Sequence, residues 1–212
     1  MLNNYDKIAN YYDLLSRLIF FKAQVKAQIN QLKHIASGSS ILIVGGGTGW
    51  ILEEIAKIHS DGLHIVYVEL SEKMISLSQK RNYGANDVEF INVGIEDFNS
   101  SVKFDVILTP FLFDNFSEDR AKKVFKKLDV LLKDNGLWLM VDFSLNGERG
   151  KWWKWVLLKS MYHFFKLIGI VEVTNLIDIE PYFLNARYQK IEEKLYYGSF
   201  IKADIYKKKA DF

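Results

Sequence analysis

The 212-residue sequence contains no cysteine, which excludes disulfides and thiolate metal sites. Its four histidines, His34, His59, His64 and His163, are scattered without ligand spacing, so no metal centre is expected. An excess of either charge is missing too. A formal net charge of +2 argues against a dedicated nucleic-acid binder. No long hydrophobic run occurs. The most apolar stretch, Trp152 to Ile170, is interrupted by Lys154, Lys159 and Lys166 and falls short of the ~20 apolar residues that a membrane span requires. The first residues, Met1-Leu2-Asn3-Asn4-Tyr5-Asp6-Lys7, lack the basic-then-apolar pattern of a signal peptide, so a cytoplasmic location is expected. Internal repeats, low-complexity segments and domain-boundary signals are likewise missing, and one domain over 1–212 is expected.

What is present is a core-forming composition, 49% apolar, and one dense motif. Ile41-Leu42-Ile43-Val44 reads as a buried parallel strand. Gly45-Gly46-Gly47-Thr48-Gly49 follows as a tight turn that a ligand can approach closely. Residues 48–59 then have helical periodicity, and a second strand, 63–69, ends in Glu69, twenty residues past the last glycine. Strand, glycine turn, helix, strand and acid together describe a nucleotide-binding βαβ unit.

Further along, Ser71 is placed to cap a helix through Arg81, 88–93 alternates as a strand, and 105–109 reads as another. Ala121, Val124, Phe125, Leu128, Leu131 and Leu132 form a helical stripe that ends at Asp134-Asn135-Gly136. A fifth strand spans 137–143. The alternation predicts a mostly parallel sheet covered on both faces by helices. Before it, residues 5–33 read as one helix with Ile8, Tyr12, Leu15 and Ile19 in a stripe. After it come a Trp/Lys/Phe-rich helix at 151–169, a short helix opened by Pro181, and strands 190–197 and 200–208 joined at Gly198-Ser199 as a hairpin.

Gly45-x-Gly47-x-Gly49 with Glu69 at the next strand end, the Asp105 strand, the Asn135-Gly136 turn and the closing hairpin resemble the class I S-adenosylmethionine-dependent methyltransferases. Nicotinamide folds place their third glycine one position later, where this chain has Trp50. The resemblance covers nearly the whole chain. It implies a Rossmann-like, doubly wound α/β fold: a seven-stranded sheet, mostly parallel with a C-terminal antiparallel hairpin, plus an N-terminal helical cap at 1–37 and a helical insertion at 151–189. It also implies S-adenosyl-L-methionine as cofactor. Glu69 would accept from the ribose hydroxyls, and Gly45, Gly46, Gly47 and Gly49 would pass beneath the methionine portion. Thr48 would reach the ligand carboxylate or cap the helix. Leu70 and Met74 would pack near the adenine and ribose, Gly94, Ile95 and Glu96 would lie along the adenine edge, and Thr109 would line the cleft. Two positions depart from the family. Ile43 stands where an acid is common, and Gly94 where an aspartate is common.

Methyl transfer from a sulfonium depends chiefly on alignment, so no catalytic dyad is required, and no catalytic residue is assigned. Tyr11, Tyr12, Phe111, Asp114 and Asn115 are candidate contacts to a small, apolar or aromatic acceptor, with helix capping and core packing as the alternatives. The segment Tyr5–Asp13 and the run Phe111-x-x-Asp114-Asn115-Phe116 are similar to the ubiquinone/menaquinone-biosynthesis methyltransferases. On a helical wheel Lys151, Lys154, Lys159 and Lys166 gather opposite Trp153, Val156, Leu157, Phe164, Leu167 and Ile168. That segment reads as a lid, as a peripheral membrane contact, or as a helix packed on the sheet with snorkelling lysines. Two other functions remain open: an aminopropyltransferase of the spermidine-synthase type, which shares the glycine run and the glutamate, and a non-catalytic cofactor-binding or membrane-surface protein.

Overall fold

A computed structural model describes residues 5–145, 151–167 and 175–210. A seven-stranded sheet runs through it in the order β3-β2-β1-β4-β5-β7-β6. The strands are β1 Ser40–Val44, β2 Asp61–Val68, β3 Ala85–Ile91, β4 Phe104–Pro110, β5 Leu132–Phe143, β6 Tyr188–Tyr196 and β7 Ile201–Lys208. The first five pair in parallel, and β7 pairs antiparallel to both β5 and β6. This is the expected Rossmann-like sheet with its closing hairpin.

The helices are α1 Ala9–Phe20, α2 Ala23–Leu32, α3 Trp50–Ile58, α4 Glu72–Ser78, α5 Glu118–Leu131, α6 Lys151–Leu167 and α7 Glu180–Asn185. The period-two alternation of β4 splits the core. Ile107 faces a cluster with Phe125, Leu128, Trp138 and Phe183 under α5 and α7. Val106 and Leu108 face a second cluster with Ile41, Ile43, Ile51 and Ile55 under α3. A third cluster joins Phe20 and Ala27 to Val141, Phe143, Leu158 and Ile201, which seats α2 and α6 against the C-terminal half of the sheet.

Three expectations change. The single helix over 5–33 is two helices, because Phe21 takes φ +53° and breaks the chain between them. The fifth strand starts at Leu132 instead of residue 137. Asn135, at φ +61°, makes its turn inside the strand, where the pairing with β4 shifts register. The helical wheel of α6 is also reversed in part: Lys154 is fully buried with Leu158 and Tyr162, while Val156, Phe164 and Leu167 are exposed. Residues 168–170 of that segment, Ile168 among them, lie outside the described residues, as does the Lys151 side chain.

Candidate active site

The carboxyl ends of β1, β2, β3 and β4 open on one cavity of about 370 Å³, the place where open α/β sheets bind ligands. α1 and α6 roof it. The glycine run forms one wall. Gly45 takes φ +69° and Gly47 φ +63°, conformations that ordinary residues avoid. A Cβ at Gly47 would find open space, whereas at Gly46 it would sit 2.5 Å from the Tyr67 ring. Tyr67 supports the loop from below, its hydroxyl donating to Gly47 O at 2.9 Å.

Glu69 stands at the end of β2, only 7% exposed. Its Oε2 accepts from Gly47 N at 3.1 Å and its Oε1 from Ser71 N at 2.9 Å. Burial pushes its pKa up, against the pull of those backbone amides. Each oxygen keeps a further lone pair for a ligand hydroxyl. Asn92 fixes the strand end by donating to the carbonyls of Glu69 and Leu70 at 2.9 Å. Leu70, Met74, Gly94 and Ile95 complete this end of the cavity.

The N-terminal segment is tied to the same loops by two carboxylates. Asp13 accepts from the Thr48 hydroxyl at 2.8 and 2.9 Å and pairs with Arg81 at 3.0 Å. Asp6 accepts from the Ser71 hydroxyl and from Lys73 N, at the start of α4. Thr48 thus donates to the protein's own cap.

The far end of the cavity is apolar, walled by Phe111, Phe143, Leu157, Met161, Phe164 and Phe165. A hydrogen-bonded polar chain enters it. Tyr5 donates to Asn115 Oδ1 at 2.5 Å, and Asn115 Nδ2 donates to Asp114 Oδ1 at 2.7 Å. Burial, then the neighbouring charge of Asp142, pushes the Asp114 carboxyl well up. Asp142, which accepts from Phe113 N at 3.2 Å and Phe143 N at 2.8 Å, is pushed up by burial to about 7.

Of the residues singled out in the sequence, the cavity gathers Tyr12, Gly45, Gly46, Gly47, Thr48, Glu69, Leu70, Met74, Gly94, Ile95, Phe111, Asp114 and Asn115. Four lie off its walls. Gly49 starts α3 at φ +77° and abuts Ser78 of α4, so its glycine serves packing. Thr109 faces the α5 side of the sheet, where its Oγ1 accepts from Trp138 Nε1 at 2.9 Å. Glu96 turns outward to Arg120. Tyr11 is on the outer face of α1, 65% exposed. The sequence reading did not single out Tyr5, Asp13 or Phe143. Tyr5 and Asp13 stood in the quoted N-terminal segment, but their partners lie 110 and 35 residues away.

Residues 41–136 match the family profile of a methyltransferase domain. The ubiquinone/menaquinone biosynthesis C-methyltransferase UbiE of Geotalea uraniireducens (strain Rf4) is 29% identical over 169 residues, 77% of this chain and 68% of that protein. The chain is a class I S-adenosylmethionine-dependent methyltransferase. The polyamine aminopropyltransferase of Pyrobaculum aerophilum is 33% identical over 116 residues, 47% of this chain and 39% of that protein. In fold, the methyltransferase resembles the Burkholderia thailandensis 1,6-didemethyltoxoflavin-N1-methyltransferase, solved with 1,6-didemethyltoxoflavin and S-adenosylhomocysteine. The TM-score is 0.67 at 14% identity, covering 97% of this chain and 86% of that one. S-adenosylmethionine is the cofactor of the family. The donor set fits it: a buried carboxylate for a diol, a glycine wall without side chains, and apolar residues for a base.

Proposed function

We propose that this methyltransferase acts on a small apolar or aromatic acceptor carrying at least one hydroxyl or keto group, the chemistry of a quinone precursor. The observation that carries the reading is the far end of the cavity, a largely aromatic and aliphatic box with a hydrogen-bonded polar group at Tyr5, Asn115 and Asp114. Such a box desolvates a ring and orients it through one polar substituent. The relatives named as ubiquinone/menaquinone C-methyltransferases support the same class of acceptor.

In this reading Glu69 holds the ribose, Gly45, Gly46 and Gly47 accommodate the methionine portion, and Leu70, Met74 and Ile95 pack on the adenine. Asp13 brings to the glycine loop a carboxylate that Ile43, buried in the core, cannot supply. The bound cofactor supplies an activated methyl group. The protein's part is to exclude water and align the acceptor. Where the acceptor must lose a proton, Asp114 takes it. The raised pKa makes its ionised form, the minor one in the resting site, a stronger base than an exposed carboxylate.

The polyamine alternative calls for carboxylates that stay charged beside a cationic substrate. Asp114 is held toward its neutral form, and Asp13 is engaged with Arg81. An assay for S-adenosylhomocysteine release with a hydroxylated naphthoquinol, run beside putrescine with decarboxylated S-adenosylmethionine, decides between the two. Turnover of the quinol alone supports the proposal, and turnover of putrescine alone overturns it.

A further inference from the structure

α1 and α6 carry apolar side chains on two faces each, where a helix packed on a globular core needs one stripe. The inner faces line the cavity through Ile8, Tyr12 and Leu15 of the α1 segment and Leu157, Met161 and Phe165 of α6. On the outer face of α1, Tyr11, Leu14, Leu18 and the adjoining Phe21 are 59–70% exposed at helical spacing. On α6, Trp152, Trp155, Val156 and Leu167 are 48–75% exposed. Single exposed apolar residues are ordinary; two stripes of large ones flanking one cavity are not.

The charges around these stripes have one sign. Residues 151–167 contain Lys159 and Lys166 at the surface and no acid, and Lys159 lies over the Trp155 ring at 5.9 Å. Arg17, Lys22 and Lys26 are exposed along α1 and α2. The two acids of the N-terminal segment, Asp6 and Asp13, are turned inward onto Ser71, Lys73, Thr48 and Arg81.

We propose that the outer faces of α1 and α6 dock on an anionic lipid bilayer, so that the cavity between them draws its acceptor from the membrane. Tryptophan and lysine are the side chains suited to that boundary, with apolar bodies in the acyl region and polar ends among the headgroups. The lysines draw the surface to anionic lipid. A second copy of the chain fits poorly, since like charges would meet and lysine is disfavoured at the centre of protein interfaces. The delivery half of the proposal rests on the apolar acceptor proposed above; the docking half does not.

The test is co-sedimentation of the whole protein with vesicles of phosphatidylcholine mixed with phosphatidylglycerol, and with vesicles of phosphatidylcholine alone, without cofactor or acceptor. Binding should be about tenfold or more tighter to the anionic vesicles and fall as salt rises. The double variants Leu14→Ser/Leu18→Ser and Trp152→Ser/Trp155→Ser should each lose about tenfold or more in vesicle binding. Lys22→Glu/Lys166→Glu should lose the preference for anionic lipid. All are surface changes, so an unchanged melting temperature reports intact folding. Failure of the wild type to bind anionic vesicles, equal binding by all variants, or self-association that the serine variants abolish would each overturn docking. Vesicle binding by a protein that turns over no quinol leaves docking standing and refutes the acceptor reading instead.

Discussion

Replacing Gly49 by alanine should destabilise the fold, and replacing Gly47 should weaken the ligand. Both glycines belong to the same loop and both have positive φ, +77° and +63°. A Cβ at Gly49 would lie 2.7 Å from Ser78 Cα and closer still to Ser78 Cβ. Ser78 is fully buried in α4, so the methyl can be accepted only by moving that helix. The left-handed backbone costs an L-residue about 1–2 kcal/mol, and overpacking adds about 1–3 kcal/mol. The sum, about 2–5 kcal/mol, corresponds to a fall in melting temperature of about 4–20 °C for a chain of this size. Gly47 has nothing within 4 Å of its virtual Cβ, so only the backbone term applies, about 1–2 kcal/mol and about 2–8 °C. Its methyl instead enters space reserved for the ligand, and S-adenosylhomocysteine affinity should fall by about tenfold or more, on the order of 1.4 kcal/mol. Scanning fluorimetry on the apo variants and calorimetric titration with S-adenosylhomocysteine read the two quantities separately. A Gly49→Ala protein that melts with the wild type, or a Gly47→Ala protein that binds normally, would refute the division of roles.

Glu69→Ala should lose about tenfold or more in cofactor affinity by calorimetry, with ribose-lacking fragments unaffected, because the proposed ribose contact is the one removed. Asp13→Ala removes two contacts to Thr48 and the pair with Arg81. It should cost about 1–3 kcal/mol in holding the N-terminal segment down, read as faster proteolysis within residues 5–20 and a raised KM for the cofactor. Asp142, lifted by burial to about 7, binds its proton more tightly folded than unfolded. Its contribution to stability is therefore full below the unfolded carboxylate range, near pH 4, and is lost as pH rises through about 7. The melting temperature measured across that window should fall, and Asp114→Asn, which removes a second carboxyl raised by burial, should flatten the slope. In the same variant the ascending, acid-side limb of kcat/KM should rise less steeply; an unchanged profile would remove Asp114 from proton transfer.

The sheet was legible because its strands are short apolar runs bounded by glycine, asparagine and aspartate, and because Glu69 sits at a spacing that needs only local counting. The break at Phe21 was not legible. An apolar stripe runs straight through 5–19, and nothing but a positive φ on a bulky residue ends it. Thr109 was misplaced for a different reason. It sits at the right strand end, but strand alternation turns its side chain to the Trp138 face, and knowing the face requires the partner strand. Lys154 ran against the rule that a lysine marks the solvent side of a helix. The pairs that complete the site, Tyr5 with Asn115 and Asp13 with Thr48, are long-range and have no periodic signature.

The two carboxylates that fasten α1 land on the very loops that face the cofactor: Asp6 on Ser71, whose amide binds Glu69, and Asp13 on Thr48 beside Gly47. Seating the N-terminal segment and filling the cavity are therefore one coupled equilibrium, not two. By thermodynamic reciprocity, whatever factor the seated segment adds to cofactor affinity, bound cofactor must return in full to the seating of the segment. Tyr5 and Tyr12 on that same segment line the cavity, so an acceptor of the kind proposed would meet a wall that bound cofactor steadies.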